Sequence, residues 1–123
     1  MCSACVLHPS EIGVFLIYAS SSLLRQDNVE IATVALTAAA LLIWSVVDGT
    51  LVGFLIGTLV AAIVVCGEIV LVELGSFRYL PGADELAGVA PWLPALHFTF
   101  GVSIAVTDRS IFNGARRSEP AAT

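Results

Sequence analysis

Three uncharged apolar runs dominate the 123-residue chain and leave it few ways to fold. Residues 31–47, 49–67 and 86–107 are 17, 19 and 22 residues long, each ending at an acidic side chain: Asp48, Glu68 and Asp108. A helix needs about 20 apolar residues, range about 17–25, to cross a bilayer. In hydrocarbon every backbone donor and acceptor must be satisfied within the segment, so such runs fold as helices. The chain is therefore expected to be all-α, an integral membrane helical bundle.

Composition agrees with this reading and excludes others. Hydrophobic residues make up 58% of the chain, charged residues 12%, and mean hydropathy is +0.95. A soluble domain carries about 25% charged residues. A soluble enzyme, a disordered chain and a disulfide scaffold are set aside on these grounds. The net charge is −5, and all five bases are Arg. There is no basic patch to neutralise phosphates, so nucleic acid is not an expected partner. An acidic, Lys-free, Ala/Val-rich chain suggests a GC-rich prokaryotic genome.

A fourth, shorter run covers residues 12–24 and ends at Arg25. Pro9, Ser10 and Glu11 suit a first helical turn, because Pro tolerates that position and Glu suits the positive helix end. The expectation is about four transmembrane helices over residues 9–25, 30–47, 49–72 and 89–108. They form a single domain, 1–112, followed by a flexible tail, 113–123. The first ten residues hold no Lys or Arg, so a cleavable signal peptide is not expected. Short links at residues 25–28 and 48–49 force antiparallel neighbours. With four spans both termini lie on one side. That side holds Arg109, Arg116 and Arg117 against Arg25 and Arg78 opposite, which leans both termini to the cytoplasmic face of a prokaryotic plasma membrane.

Small residues mark one helix face. Gly49, Gly53, Gly57 and Ala61 recur every four residues, a spacing that lets two backbones approach closely in lipid. They are candidates for helix packing or a homo-oligomer contact, with packing inside the chain weighted more heavily. Ala32, Ala35 and Ala39 are the matching small positions on the preceding span.

Polar residues at membrane depth are functional candidates by default, because they are expensive there. Glu68 is the sharpest, although an interfacial carboxylate reaching headgroups is the plainer reading. His97 is within reach of a headgroup, or of Glu68 across a helix interface. Tyr18 precedes Ser20, Ser21 and Ser22 in the first run. Tyr18, Glu68 and His97 are taken as candidate ligand-cavity residues. Cys2 and Cys5 are formally spaced C-x-x-C near His8, but no second Cys/His cluster accompanies them, and a reduced N-terminus is expected. No H-E-x-x-H, G-x-S-x-G or phosphate loop appears. No catalytic residue, metal or cofactor is expected.

The last run carries a resemblance. Trp92-Leu93-Pro94, then Phe98, Gly101 and Arg109, resemble the final transmembrane helix of the Insig (insulin-induced gene) family. Trp44 followed by Asp48 resembles that family's Trp and acidic residue in a short inter-span loop. Gly49, Gly53 and Gly57 resemble its glycine-spaced helix. Gly75, Tyr79 and Pro81 echo the loop before the last helix, and Asp27-Asn28 an earlier link. The similarity runs from about Gly13 to Arg109, although residues 82–89 make a longer loop than in the animal proteins.

Animal Insigs have six spans in the endoplasmic reticulum, bind oxysterol in a membrane cavity and regulate sterol synthesis through sterol-sensing partners. The chain resembles their last four spans and lacks the first two. The resemblance implies a non-catalytic bundle that binds a lipid or an isoprenoid/sterol-like ligand and regulates a membrane partner. Membrane lipids and a second copy of the chain are the other expected partners. Asp48 matches the acidic position used for partner contact. Two other readings are a small transporter or proton-coupled channel subunit built around Glu68 and His97, and an intramembrane enzyme acting on a lipid or isoprenoid.

Overall fold

The structure is a computed structural model, and it describes residues 14, 28–79, 81 and 84–118. Three helices account for most of them: α1 (Val29–Val47), α2 (Leu51–Glu73) and α3 (Leu93–Ser118). Among the described residues there is no β-strand. The expected first span, residues 9–25, lies outside the described residues except for Val14, as do Tyr18, Cys2, Cys5 and His8.

α1 and α2 are long and apolar enough to cross a membrane. At 1.5 Å per residue α2 is about 34 Å long, enough for a hydrocarbon core of about 30 Å. The outward faces are greasy: Val34, Leu42 and Val46 on α1, and Leu51, Leu55, Leu59 and Ile63 on α2 are all well exposed. In water this would be a severe liability. In a bilayer it is the surface that lipid wets.

The link between α1 and α2 is written into Asp48, Gly49 and Thr50. Gly49 takes φ +61°, a left-handed conformation that favours glycine. The amides of Asp48 and Gly49 both donate to the Trp44 carbonyl, at 2.9 and 2.8 Å. Thr50 then caps α2, its hydroxyl accepting from the Gly53 amide at 3.1 Å. The far end of α2 stops just as definitely. Gly75 has φ +74°, its amide donates to Val72 O, and that of Ser76 donates to Leu71 O. This is the Schellman arrangement, which uses up the orphan carbonyls of a helix end.

α3 departs from expectation at both ends. Its helix begins at Leu93, not near residue 89. Residues 86–89 form a tight two-residue turn, with mutual Leu86–Val89 backbone hydrogen bonds of 3.1 and 2.9 Å. Ala87 and Gly88 both have positive φ there, +51° and +86°, as a mirror-image hairpin turn requires. Val89 and Ala90 are fully buried beneath it. At the other end the helix continues to Ser118, past the start expected for the tail at Asn113. Ala115 and Arg116 are good helix formers, and cations suit the negative end of a helix.

α3 packs against both other helices, α2 above all. Its centre is buried on several sides by Leu96, Phe98, Thr99, Val102 and Ala105. α1 contributes Ala32, Leu36 and Ala40 to burial; of the other two alanines expected to match, Ala35 is exposed and Ala39 half-buried. The buried hydroxyls of Thr99 and Ser103 return hydrogen bonds to carbonyls four residues back, at 3.0 and 3.1 Å. That gives each an acceptor within its own helix.

Candidate functional site

The α2–α3 contact organises everything around it. Gly53, Gly57 and Ala61 on α2 are buried, and Val65 continues their row. At Gly57 an added Cβ would sit 2.9 Å from the Phe98 carbonyl oxygen. At Gly101 it would sit 2.8 Å from the Gly57 Cα. Two glycines therefore face each other, and the backbones touch. The small-residue row expected for packing or self-association is used here within the chain, while Gly49 lies in the link before α2. Ring contacts run alongside: Trp44 to Phe54 at 5.1 Å and Phe54 to Phe98 at 5.3 Å, both edge-to-face.

One end of this contact is closed by Asp48 and Arg109. Arg109 Nη2 pairs with Asp48 Oδ1. The Thr50 hydroxyl donates to Asp48 Oδ2 at 2.6 Å, and the Trp44 indole donates to the Thr50 carbonyl at 3.0 Å. Gly53 makes the space, since a Cβ there would lie 1.8 Å from Asp48 Oδ2. The Asp48 side chain is 2% exposed. The carboxylate expected to reach a partner is thus turned inward, because a guanidinium and a hydroxyl within reach satisfy it better than an open surface does. What faces outward is Arg109, 41% exposed.

The other end is closed by Glu68. Its Oε1 lies 3.3 Å from His97 Nε2, and its Oε2 accepts from the Tyr79 hydroxyl at 2.6 Å. The structure thus brings together two of the three candidate cavity residues. It adds Tyr79, which the sequence showed only as part of a loop. Burial first, then the hydrogen bond to Glu68, then the charge on Glu68, hold the Tyr79 phenol above its ordinary pKa.

Neither Glu68 nor His97 lines the groove between the three helices. That groove has a volume of about 230 Å³. Its floor is Phe54, Ala61, Ala95 and Phe98, and its mouth carries the hydroxyls of Thr37 and Thr58. Pro91 and Pro94 shape one end. A concave, mostly apolar site with a few polar groups is what a small hydrophobic ligand needs. Among the described residues no cluster of three or more His, Cys, Asp or Glu is placed to hold a metal ion.

Comparison with known proteins gives a consistent picture. No family model matches the chain. It is 41% identical over 90 residues to an INSIG protein homolog of Mycolicibacterium vanbaalenii, covering 72% of this chain and 43% of that protein. Its structure superposes on a cross-linked trimer of MvINS with a TM-score of 0.83 and 32% identity, over 96% of this chain and 62% of that one. A second crystal structure, the mycobacterial Insig homolog MvINS from Mycobacterium vanbaalenii, gives a TM-score of 0.76 and 34% identity, over 85% and 56%. The chain spans less than two thirds of the length of each of these relatives.

Proposed function

From the premise that this chain is an Insig-like, helical membrane protein, we propose that it is a non-catalytic lipid-binding bundle. Its ligand is a lipid or an isoprenoid/sterol-like molecule held in the groove between α1, α2 and α3. The observation that carries this reading is the groove itself: apolar floor, two hydroxyls at the mouth, about 230 Å³. A chain that moves from bilayer to groove gains no hydrophobic free energy, because lipid tails are as apolar as the lining. Affinity then rests on shape against Phe54 and Phe98 and on hydrogen bonds at Thr37 and Thr58.

Native mass spectrometry in mild detergent tests this directly. The wild type retains a lipid adduct. Thr58→Trp fills the mouth from an exposed position and cuts retention at least tenfold. Ile63→Trp, exposed on the same helix but outside the groove, leaves retention unchanged. Equal retention in both variants overturns the groove as the site.

MvINS was crystallised as a cross-linked trimer, which supports a homo-oligomer here too. The same spectra report it: a trimer mass is expected, and a monomer alone would overturn it. Regulation of a membrane partner is part of this proposal, with the outward-facing Arg109, not the inward-turned Asp48, available for such a contact. We place the chain in a prokaryotic plasma membrane with its C-terminal end cytoplasmic. Labelling of Asn113→Cys from the cytoplasmic side, and of Ser76→Cys from the opposite side, checks the orientation.

A further inference from the structure

Resting on the groove as a lipid site, we infer that the Thr37 hydroxyl selects the polar end of the ligand, and that this end is an uncharged hydroxyl group. The occupant is then a long-chain or isoprenoid alcohol.

The starting point is how the threonines of the bundle spend their hydroxyls. A helical Thr commonly returns its hydrogen bond to the carbonyl four residues back. Thr33 donates to Val29 O at 2.8 Å, Thr58 to Phe54 O at 2.9 Å, Thr99 to Ala95 O at 3.0 Å and Thr107 to Ser103 O at 2.9 Å. The Thr50 hydroxyl is used at the α1–α2 link. Thr37 is the exception. Its hydroxyl makes no hydrogen bond among the described residues, and it lines the groove.

Depth makes this costly. At 1.5 Å per residue, Thr37 lies about 15 Å along α1 from Val47, and Thr58 about 10 Å along α2 from Leu51. Both hydroxyls are therefore at similar depth on either side of the α1–α2 link, well inside a hydrocarbon core of about 30 Å. No water is available there to pair with Thr37. An unmet hydroxyl in apolar surroundings is unfavourable, and a ligand that meets it removes that cost.

The two hydroxyls ask for different things. Thr37 has both its hydrogen and its lone pairs to offer. Thr58 has given its hydrogen to Phe54 O and offers lone pairs alone. A ligand oxygen that serves both must accept from Thr37 and donate to Thr58. A hydroxyl does both, whereas an ether, ester or ketone oxygen accepts only. A charged headgroup does not suit the site, because every residue lining the groove is uncharged and charge at this depth is expensive. The volume of about 230 Å³ also lies below the range of about 300–1,000 Å³ for pockets that enclose a drug-sized ligand. It suits one chain and its hydroxyl, not a bulky head. A site built to hydrogen-bond a ligand OH discriminates against the analogue that lacks it.

Native mass spectrometry of the full chain in mild detergent tests this, with farnesol or farnesyl methyl ether supplied at equal concentration. The wild type is expected to retain the alcohol at least about fivefold more than the ether, the effect of one net hydrogen bond. Thr37→Val keeps the branched shape without the hydroxyl and should bring the two within about twofold. Thr37→Ser restores the hydroxyl and should restore the preference. Thr33→Val, on the same helix but outside the groove, should leave it intact. Equal retention of alcohol and ether by the wild type, or a preference that survives Thr37→Val, overturns the inference. If that happens while Thr58→Trp still expels both ligands, the groove stands as a lipid site and its selectivity for a hydroxyl is wrong. If Thr58→Trp expels neither, the groove itself fails, and the inference with it.

Discussion

The two ends of the α2–α3 contact are each closed by a carboxylate, but they are built on opposite principles. Asp48 is nearly inaccessible and is matched to Arg109, whose charge is permanent. Glu68 is more open and is matched to an imidazole and a phenol rather than to a guanidinium. One closure is an ion pair with a buried acid, and the other is a pair of hydrogen bonds to a more open one. The difference also follows from what each joins. The Asp48 closure ties the α1–α2 link to the late part of α3. The Glu68 closure ties a connecting turn to α2 and the early part of α3.

The comparison breaks first at Arg109. Arg109→Ala leaves Asp48 buried with Thr50 as its remaining partner among the described residues, and unpaired buried charges are costly. A loss of about 3 kcal/mol is expected, read as unfolding in mild detergent; a loss no greater than that of His97→Ala would erase the distinction between the two ends. Between them lies the glycine contact. Gly57→Ala forces a methyl against the Phe98 carbonyl, and overpacking of this kind costs about 2 kcal/mol. If thermal unfolding is unchanged, the helices are not in backbone contact.

The Tyr79 end is probed in alkali. Its phenol is held above the ordinary value, about 10. The fold thus favours the neutral phenol. That contribution is complete below the ordinary value and is lost as pH climbs through the raised one. Tyr79→Phe should cost about 1 kcal/mol at neutral pH and should lose less stability than wild type above the ordinary phenol value. The smallest effect belongs to Gly67, around which an added Cβ meets nothing within 4 Å. Gly67→Ala should be neutral or stabilising by about 0.5 kcal/mol through helix propensity alone. A clear loss there would mean that a neighbour outside the described residues packs on that face.

The legible part of this protein is the part governed by local rules. The uncharged runs placed α1 and α2 within a few residues, because backbone groups in lipid have no alternative to a helix. The four-residue spacing of Gly53, Gly57 and Ala61 showed that a helix would approach there. The beginning of α3 was misplaced because the apolar residues 89–92 read as helix, and Ala87 gives no warning of the positive φ just before them. Tyr79 was missed because its value depends on a meeting with Glu68, eleven residues earlier. A Gly after a long apolar helix, with a Tyr four residues on, was the available signal.

Sequence alone determined that this chain is of membrane type, where its two most apolar helices lie and which charges need accounting for. It could not say which charge meets which. Residues 48 and 109 are far apart along the chain, and only the packing of α3 against α2 makes them neighbours. The same packing turned the glycine row inward, buried the acid expected to face a partner and set His97 against Glu68. Desolvation is felt wherever a polar group enters lipid, so the sequence can flag each group singly. Pairing depends on distance and orientation, and those come from the fold.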